Sequence, residues 1–506
     1  MEDDLVSDDN SIIIGGDENV KIFLDNLETK LKKKRLKDGI LNIIGTSLQK
    51  LQQSVVQGMN FIFVYLVYFL HSENDDDNIT KENTLTLAAI FGFTEFSTIW
   101  IGGVLKHYLG LRIIMTISSL FLILASLGIL FFRSLFAYQI MIFFLGAGVG
   151  VPQSITNVNT IQYIPEKKGF ITGVFNIAWT LGTTFFNFLS LHVINPSDKD
   201  VQFLEDEKAI RKQEDPKYEY YDDDKLEHKK VLTFMYVAVG CFIVLSILSI
   251  VLTFPFHKER YEPNEQNVDK DGNIINSDDS NSTTSESKKK KKEEEDDFKF
   301  TELLKCPRFY TCFFYCSFRN VHAYLIGSSF QIFALHYETV SVRAQKIITT
   351  LSYLANFVTT FGLSFFIDKF KYRNVNVPNF LCVMIHALTF QFIKKNSVIY
   401  VIYFFLVGVF SSIDNLATFP HLYRVFGTKH VALIFGIFNI GTGLFNFGLS
   451  YLVDVILSGK PPGPDYDHSL SLLMYISAMF TLTSVTLMLL ESEDPVHSKI
   501  KIEEKS

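Results

Sequence analysis

Along the chain, apolar residues gather into long runs nearly free of charge, and polar residues gather between them. Residues 111–132 (LRIIMTISSLFLILASLGILFF) and 231–255 (VLTFMYVAVGCFIVLSILSIVLTFP) show the pattern. An apolar run of about 18 residues or more can cross ~30 Å of hydrocarbon as a helix, which satisfies every backbone polar group internally. Twelve such spans can be placed, at 46–70, 85–106, 111–132, 134–156, 170–194, 231–255, 308–335, 346–367, 377–394, 398–420, 431–457 and 469–490. The polar block at 256–305 separates the first six from the last six. The pattern predicts an all-α membrane protein with twelve transmembrane helices in two six-helix halves. It divides the chain into a partly disordered N-terminal segment 1–45, a first half 46–255, a disordered linker 256–305, a second half 306–490 and a tail 491–506.

Composition alone would hide this. The chain has 506 residues, 48% apolar and 20% charged, averages that fit a soluble protein equally well. The spans occupy about half the chain at ~20 residues each, and so the mean hydropathy is only +0.20. The net charge of -7 and scattered basic residues without interleaved aromatics argue against a nucleic-acid partner. Lysine and arginine also set the orientation. KLKKKRLK at 30–37, Lys167 and Lys168, Lys288–Lys292, and Lys369, Lys371 and Arg373 share one side, while HSENDDDN after span one and the acidic loop 195–230 lie on the other. Both termini are therefore expected in the cytosol, with the plasma membrane as the default location.

The linker stretch NSDDSNSTTSESKKKKKEEEDD is too polar to bury a core and is expected to stay disordered. Residues 20–37 set Val20, Leu24, Leu27 and Leu31 on one helical face beside lysines, suited either to the anionic inner leaflet or to plain solvation. Asn78-Ile79-Thr80 is a glycosylation sequon on the outer side, and the acidic start MEDDLVSDDN has no positive region typical of a cleaved signal peptide. Cys241, Cys306, Cys312, Cys316 and Cys382 lie in or beside apolar runs and read as small buried hydrophobes. No phosphate-binding loop, HExxH or Cys/His metal spacing occurs, so no cofactor or metal is expected. Transport would then be driven by a solute or proton gradient.

A repeat ties the halves together. Span five contains GVFNI at 173–177 and span eleven GIFNI at 436–440, each after a short loop with paired basic character. The loop between spans eight and nine reads Ser364-Phe-Phe-Ile-Asp368-Lys369-Phe-Lys371-Tyr-Arg373. The corresponding loop between spans two and three reads Gly103-Val-Leu-Lys106-His107-Tyr108-Leu-Gly110-Leu-Arg112, without the acidic residue. These loops resemble the signature of the major facilitator superfamily, in which they clamp the cytosolic helix ends by charge pairs. The resemblance implies a gating loop at Asp368, Lys369 and Arg373, and an altered one at Gly103, Gly110 and Arg112. Within that superfamily, the stretches at 163–188, 300–314 and 419–448 resemble the monocarboxylate transporter and oxalate/formate antiporter branch. This implies a small organic anion as substrate. The branch's basic residue in span eight or eleven has no counterpart here.

Ionisable side chains at mid-membrane are costly, roughly 2.5–3.5 kcal/mol each, and mark candidate chemistry. Glu95, Arg319 and Asp414 stand out in spans two, seven and ten. Arg319 forms a polar stripe with Tyr315, His322 and Ser329, and spans one, four, seven and ten line the cavity in this superfamily. Arg319 is the first candidate for a carboxylate because its guanidinium is a bidentate fork; the other reading is an internal Arg319–Asp414 ion pair. Glu95 can take up and release a proton, which makes it the candidate proton-coupling group; the other reading is a structural hydrogen-bonded carboxyl. Lys50, Gln53, Gln57 and Asn60 form a second stripe in span one, and Gln153 and Asn157 follow GAGVGVP in span four. Gln57, Asn60, Gln153, Asn157, Asp414, His322 and Tyr315 join Arg319 as candidate substrate residues. Asn176 and Asn439 at equivalent repeat positions read as interhelical hydrogen bonders, and His386 as a packing residue.

The leading expectation is a secondary active transporter of small organic anions in a lipid bilayer, with a proton as possible coupling ion. The alternatives are an amino-acid or other small-metabolite transporter, and a nutrient sensor that does not transport.

Overall fold

The structure is a computed structural model that describes residues 16–59, 62–74, 79, 83–194, 225–257, 261, 300–327, 342–457 and 464–490. Asn60, Ser329, the sequon residues Asn78 and Thr80, most of the acidic loop, most of the linker and both chain ends lie outside the described residues. Among the described residues, every regular element is helical. Span one is formed by α1 (Gly16–Met59) and α2 (Phe63–Asn74), and spans two to six by α3 (Asn83–Leu109), α4 (Leu111–Phe131), α5 (Leu135–Ile161), α6 (Lys168–Ile194) and α7 (Lys225–Leu252). In the second half, α8 (Pro307–Phe318), α9 (Val342–Ser364) and α10 (Tyr372–Thr389) precede a long helix, α11 (Ser397–Leu457), and α12 (Pro464–Leu490). Predicted spans ten and eleven both lie in α11, which kinks at Gly427, where φ is 75° and only glycine sits without strain.

Nine helical stretches among the described residues are long and apolar enough to cross a membrane. The other three predicted spans are one, seven and eight. Span one carries Lys50 and its glutamines, span seven carries Arg319 and His322, and span eight carries Asn356. Span seven is described as the 12-residue α8, a turn and residues 321–327, and span one is divided between α1 and α2. Several helices outrun their predicted limits. The helix of span four continues to Ile161 and that of span nine starts at Tyr372, because polar residues near the ends do not interrupt the helical hydrogen bonding.

Apolar side chains form three buried clusters. One mixes the halves, with Ile99, Ile155 and Phe175 meeting Phe309, Leu416 and Phe438. The other two each belong to a single half, around Phe63 and Phe234 in the first and around Tyr400 and Leu473 in the second. The halves are thus packed together towards the loops at 163–170 and 364–373, and have separate cores towards the opposite end. The repeat shows directly in this packing. A side chain at Gly173 would collide with Ser364 of α9, and one at Gly436 would collide with the Trp100 backbone of α3. The two glycines of the repeated sequence therefore make equivalent close contacts, each with a helix of the other half.

Buried polar groups join helices within the first half. Gln52 of α1 donates to Ser246 of α7 at 2.6 Å and to Ser119 of α4 at 3.3 Å, and Thr46 pairs with Thr160 of α5 at 2.9 Å. Such bonds contribute about 0.6–2 kcal/mol each in a membrane. The outer faces are apolar instead: Phe185, Phe188, Leu248 and Val358 are exposed, as lipid contact allows. The cysteines follow both patterns. Cys312 and Cys316 are buried as expected, but Cys382 is exposed and Cys241 and Cys306 are half-buried.

Candidate functional site: a polar cavity shared by the two halves

A cavity of about 400 Å3 opens between helices of both halves. Its wall includes Lys50 and Gln57 from α1, Glu95 from α3, Gln153 and Asn157 from α5, and Arg319 from span seven. Sequence reading therefore places Gln57, Gln153, Asn157, Glu95 and Arg319 at one site. The α1 stripe divides between two roles. Gln53 donates to the Val149 carbonyl at 2.9 Å and ties α1 to α5, while Lys50 and Gln57 reach the cavity. Gln57 Nε2 donates to Glu95 Oε2 at 3.0 Å. Lys50 Nζ stands 5.9 Å from the centre of the Trp179 ring, a cation–π distance, and interacts electrostatically with Glu95. Glu95 therefore has a cationic neighbour, supplied by a different helix from its own. Among the described residues, Lys50 and Glu95 do not close to an ion pair with one another.

Arg319 and Asp414 do form an ion pair. Arg319 Nη1 lies 2.9 Å from Asp414 Oδ2, with both side chains buried. The same guanidinium donates to Thr418, whose hydroxyl also lies 3.3 Å from Asp414 Oδ1 and 3.3 Å from Tyr372 Oη. Asp414 does not reach the cavity; it borders a small neighbouring void with Arg319 and His322.

The predicted stripe of span seven divides between the cavity and a neighbouring void, with Arg319 on both. Helix α8 ends at Phe318, Arg319 and Asn320 form a turn, and residues 321–327 are helical again. The turn keeps helical backbone: the Arg319 N–H bonds the Tyr315 carbonyl at 3.0 Å and the Tyr324 N–H bonds the Asn320 carbonyl at 2.9 Å. Arg319, Asn320, Ala323 and Tyr324 line the cavity, whereas Tyr315 and His322 do not. Tyr315 is fully buried against the rings of Tyr372 and His421. His322 points towards spans nine and twelve: Nδ1 is 2.8 Å from Ser477 Oγ and Nε2 is 2.8 Å from His386 Nδ1. His386 Nε2 is in turn 3.0 Å from the Tyr403 carbonyl. A carbonyl can only accept, so His386 donates there. With both rings neutral, His322 then donates to His386 and accepts from Ser477. His386 is thus a hydrogen-bonded packing residue with a defined tautomer.

The two loop signatures behave differently. Asp368 accepts from the backbone N–H groups of Gly169 and Phe170 at 2.9 and 3.2 Å, at the start of α6 in the other half. A carboxylate at a helix N-terminus satisfies unpaired donors and complements the helix dipole. Arg424 donates to the Asp368 carbonyl at 3.0 Å, Arg373 donates to the Leu489 carbonyl at 3.1 Å, and Lys369 is exposed. In the first-half loop, Arg112 donates to the Thr253 carbonyl at 3.0 Å and lies over the Phe254 ring, within its own half. Gly103 packs closely on the Leu433 backbone, and Gly110, at φ 75°, caps α4 in open space. Without an acidic residue the first loop makes backbone packing rather than a charged clamp.

Sequence reading missed Trp179, Tyr353, Asn356 and Asn446, all on the cavity wall. The available signal was polarity within apolar runs, which marks Asn356 and Asn446 but gives no warning of the aromatics.

Residues 35–186, covering spans one to five, match the profile of the Major Facilitator Superfamily. No curated protein matches the chain in sequence. Among solved structures, the fucose:proton symporter FucP of E. coli is similar with a TM-score of 0.57 at 15% identity, covering 88% of this chain and 99% of that chain. The chain accordingly has the major facilitator fold, an all-α membrane architecture.

Proposed function

We propose that the protein is a secondary active transporter that moves a small organic anion together with a proton by alternating access. The observation that carries this reading is the charge arrangement of the cavity. Arg319 is neutralised by Asp414, which leaves Lys50 and Glu95 as the charges free to respond to a ligand. With Glu95 ionised, the cavity is electrically balanced and offers an anion nothing net. With Glu95 protonated, Lys50 is uncompensated and attracts a carboxylate. Proton and anion therefore favour each other's binding, which is the requirement for symport. Lys50 is the carboxylate-binding group in this scheme, and Glu95 the proton-coupling group. Gln57 orients Glu95, while Gln153 and Asn157 contact the solute.

Support for alternating access comes from the clamped end of the bundle. Asp368 on α6 and the shared apolar core hold the halves together there, beneath a cavity whose walls come from both halves. The fold mate is itself named a proton symporter, in keeping with a proton as coupling ion. A second reading follows from the ionised pair, since Lys50 and Glu95 together offer opposite charges to a zwitterion such as an amino acid.

Purified protein in liposomes tests the proposal. Labelled lactate, pyruvate or oxalate should accumulate under an inward proton gradient, and Lys50→Gln should reduce uptake by about ten- to a hundredfold, the worth of one charge-assisted hydrogen bond. Movement of amino acids with no carboxylate uptake would favour the zwitterion reading.

A further inference from the structure

The cavity is far richer in amides than one proton and one carboxylate require. Asn320, Asn356, Asn415, Asn439 and Asn446 line it in addition to Gln57, Gln153, Asn157 and Asn176. Some of these are satisfied by the protein. Asn439 donates to the Phe435 carbonyl at 2.6 Å, and Asn356 Oδ1 accepts from Thr180 at 3.2 Å. Others are not. Gln153 Oε1, Asn157 Oδ1, Asn176 Nδ2 and both polar atoms of Asn446 are buried without a hydrogen-bond partner. Asn157 is 8% exposed and Asn446 1% exposed. An unpartnered buried polar group costs about 1–3 kcal/mol. The four residues, from α5, α6 and α11, all line one cavity, so its contents adjoin every one of them.

The unpartnered set includes acceptors and donors. A hydroxyl group matches this mixture because it both donates and accepts. A second carboxylate could only accept and would leave Gln153 Oε1 and Asn157 Oδ1 without donors. Size agrees: at ~30 Å3 per water the cavity holds on the order of ten water molecules, so a three-carbon acid would leave most of it wet. Aromatic rings of Phe91, Trp179 and Tyr353 lie on the same wall and suit the C–H faces of a polyol chain.

We infer that the solute is a polyhydroxylated carboxylate of the sugar-acid type, its carboxylate at Lys50 and its hydroxyls on Gln153, Asn157, Asn176 and Asn446. This rests on the anion reading above and deepens it.

The test compares D-gluconate, L-lactate and mannitol as ligands of the purified full chain, by thermal-unfolding shift and by inhibition of labelled gluconate uptake in liposomes. Gluconate should bind at least tenfold more tightly than lactate. Asn157→Leu and Asn176→Ala should each weaken gluconate about three- to tenfold, the net worth of one hydrogen bond, and Asn176→Ala should leave lactate unchanged. Asn176 is only half-buried, so its truncation serves as the control should Asn157→Leu fold poorly. Lactate binding as tightly as gluconate, with both variants silent, overturns the inference and leaves the anion reading intact. Mannitol matching gluconate, with Lys50→Gln silent, overturns the anion reading and with it the sugar-acid assignment. If none of the three binds, both readings fall.

Discussion

Arg319 and Asp414 are individually costly in a membrane interior, and their proximity explains why both persist. A buried ion pair contributes little net stability, yet breaking it leaves a bare charge at a cost of about 3–5 kcal/mol. Asp414→Asn should therefore lower the unfolding midpoint sharply, whereas Arg319→Met combined with Asp414→Leu should recover most of the loss. If Asp414→Asn is silent in a thermal-unfolding assay, the pair does not hold charge in the way its 2.9 Å separation implies. Lys50 and Glu95 sit differently, near enough to feel each other and lacking a mutual ion pair among the described residues. In the proposed scheme this open pair is what responds to a ligand. Sequence could expose Glu95 and Arg319 because charge within an apolar run is conspicuous. It could not tell which charge was already neutralised, since that depends on Arg319 and Asp414, 95 positions apart, meeting in space.

At the level of elements, the asymmetry between the two loops has consequences. Asp368 bonds to two backbone N–H groups at the start of α6, while the first-half loop has no carboxylate to offer α11. Asp368→Ala should therefore open that end on its own. A cysteine pair placed at Phe170 and Phe365, whose rings are 5.6 Å apart, gives a readout. Cross-linking should be efficient in the otherwise native protein and fall severalfold with Asp368→Ala; equal yields would mean that the apolar core alone holds the end closed. The repeated glycines make a companion prediction. Gly436→Leu should obstruct the approach of α11 to Trp100 and suppress uptake while leaving membrane insertion intact, as measured by flux normalised to inserted protein. The repeat GVFNI and GIFNI was legible as sequence, and its meaning as two equivalent contacts needed the fold. Span seven was misread for a related reason. Arg319, Asn320, Ala323, Tyr324 and Gly327 line the cavity at helical spacing, so Tyr315 and His322 fall on the other flank of Arg319, where His322 meets Ser477 and His386.

For the molecule as a whole, hydropathy was enough for the architecture because a bilayer permits so few solutions. Polar residues within the spans mark the cavity wall, with Lys50, Glu95, Gln153, Arg319 and Asn356 in spans one, two, four, seven and eight. The same charge accounting makes a prediction about energetics. Loaded with proton and monoanion, the cavity has no net charge, and emptied with Glu95 ionised it again has none. Uptake should therefore be insensitive to a potassium diffusion potential across the liposome membrane, and a strong voltage dependence would require a charge that this scheme lacks.

The most direct test is of Glu95 itself. Accumulation of a labelled carboxylate is measured in liposomes as the outside pH is lowered, for the native protein and for Glu95→Gln, alongside counterflow exchange without any gradient. Native accumulation should rise as the outside is acidified, while Glu95→Gln should retain counterflow and lose all response to the gradient. Gradient-driven accumulation by Glu95→Gln equal to that of the native protein would contradict the account.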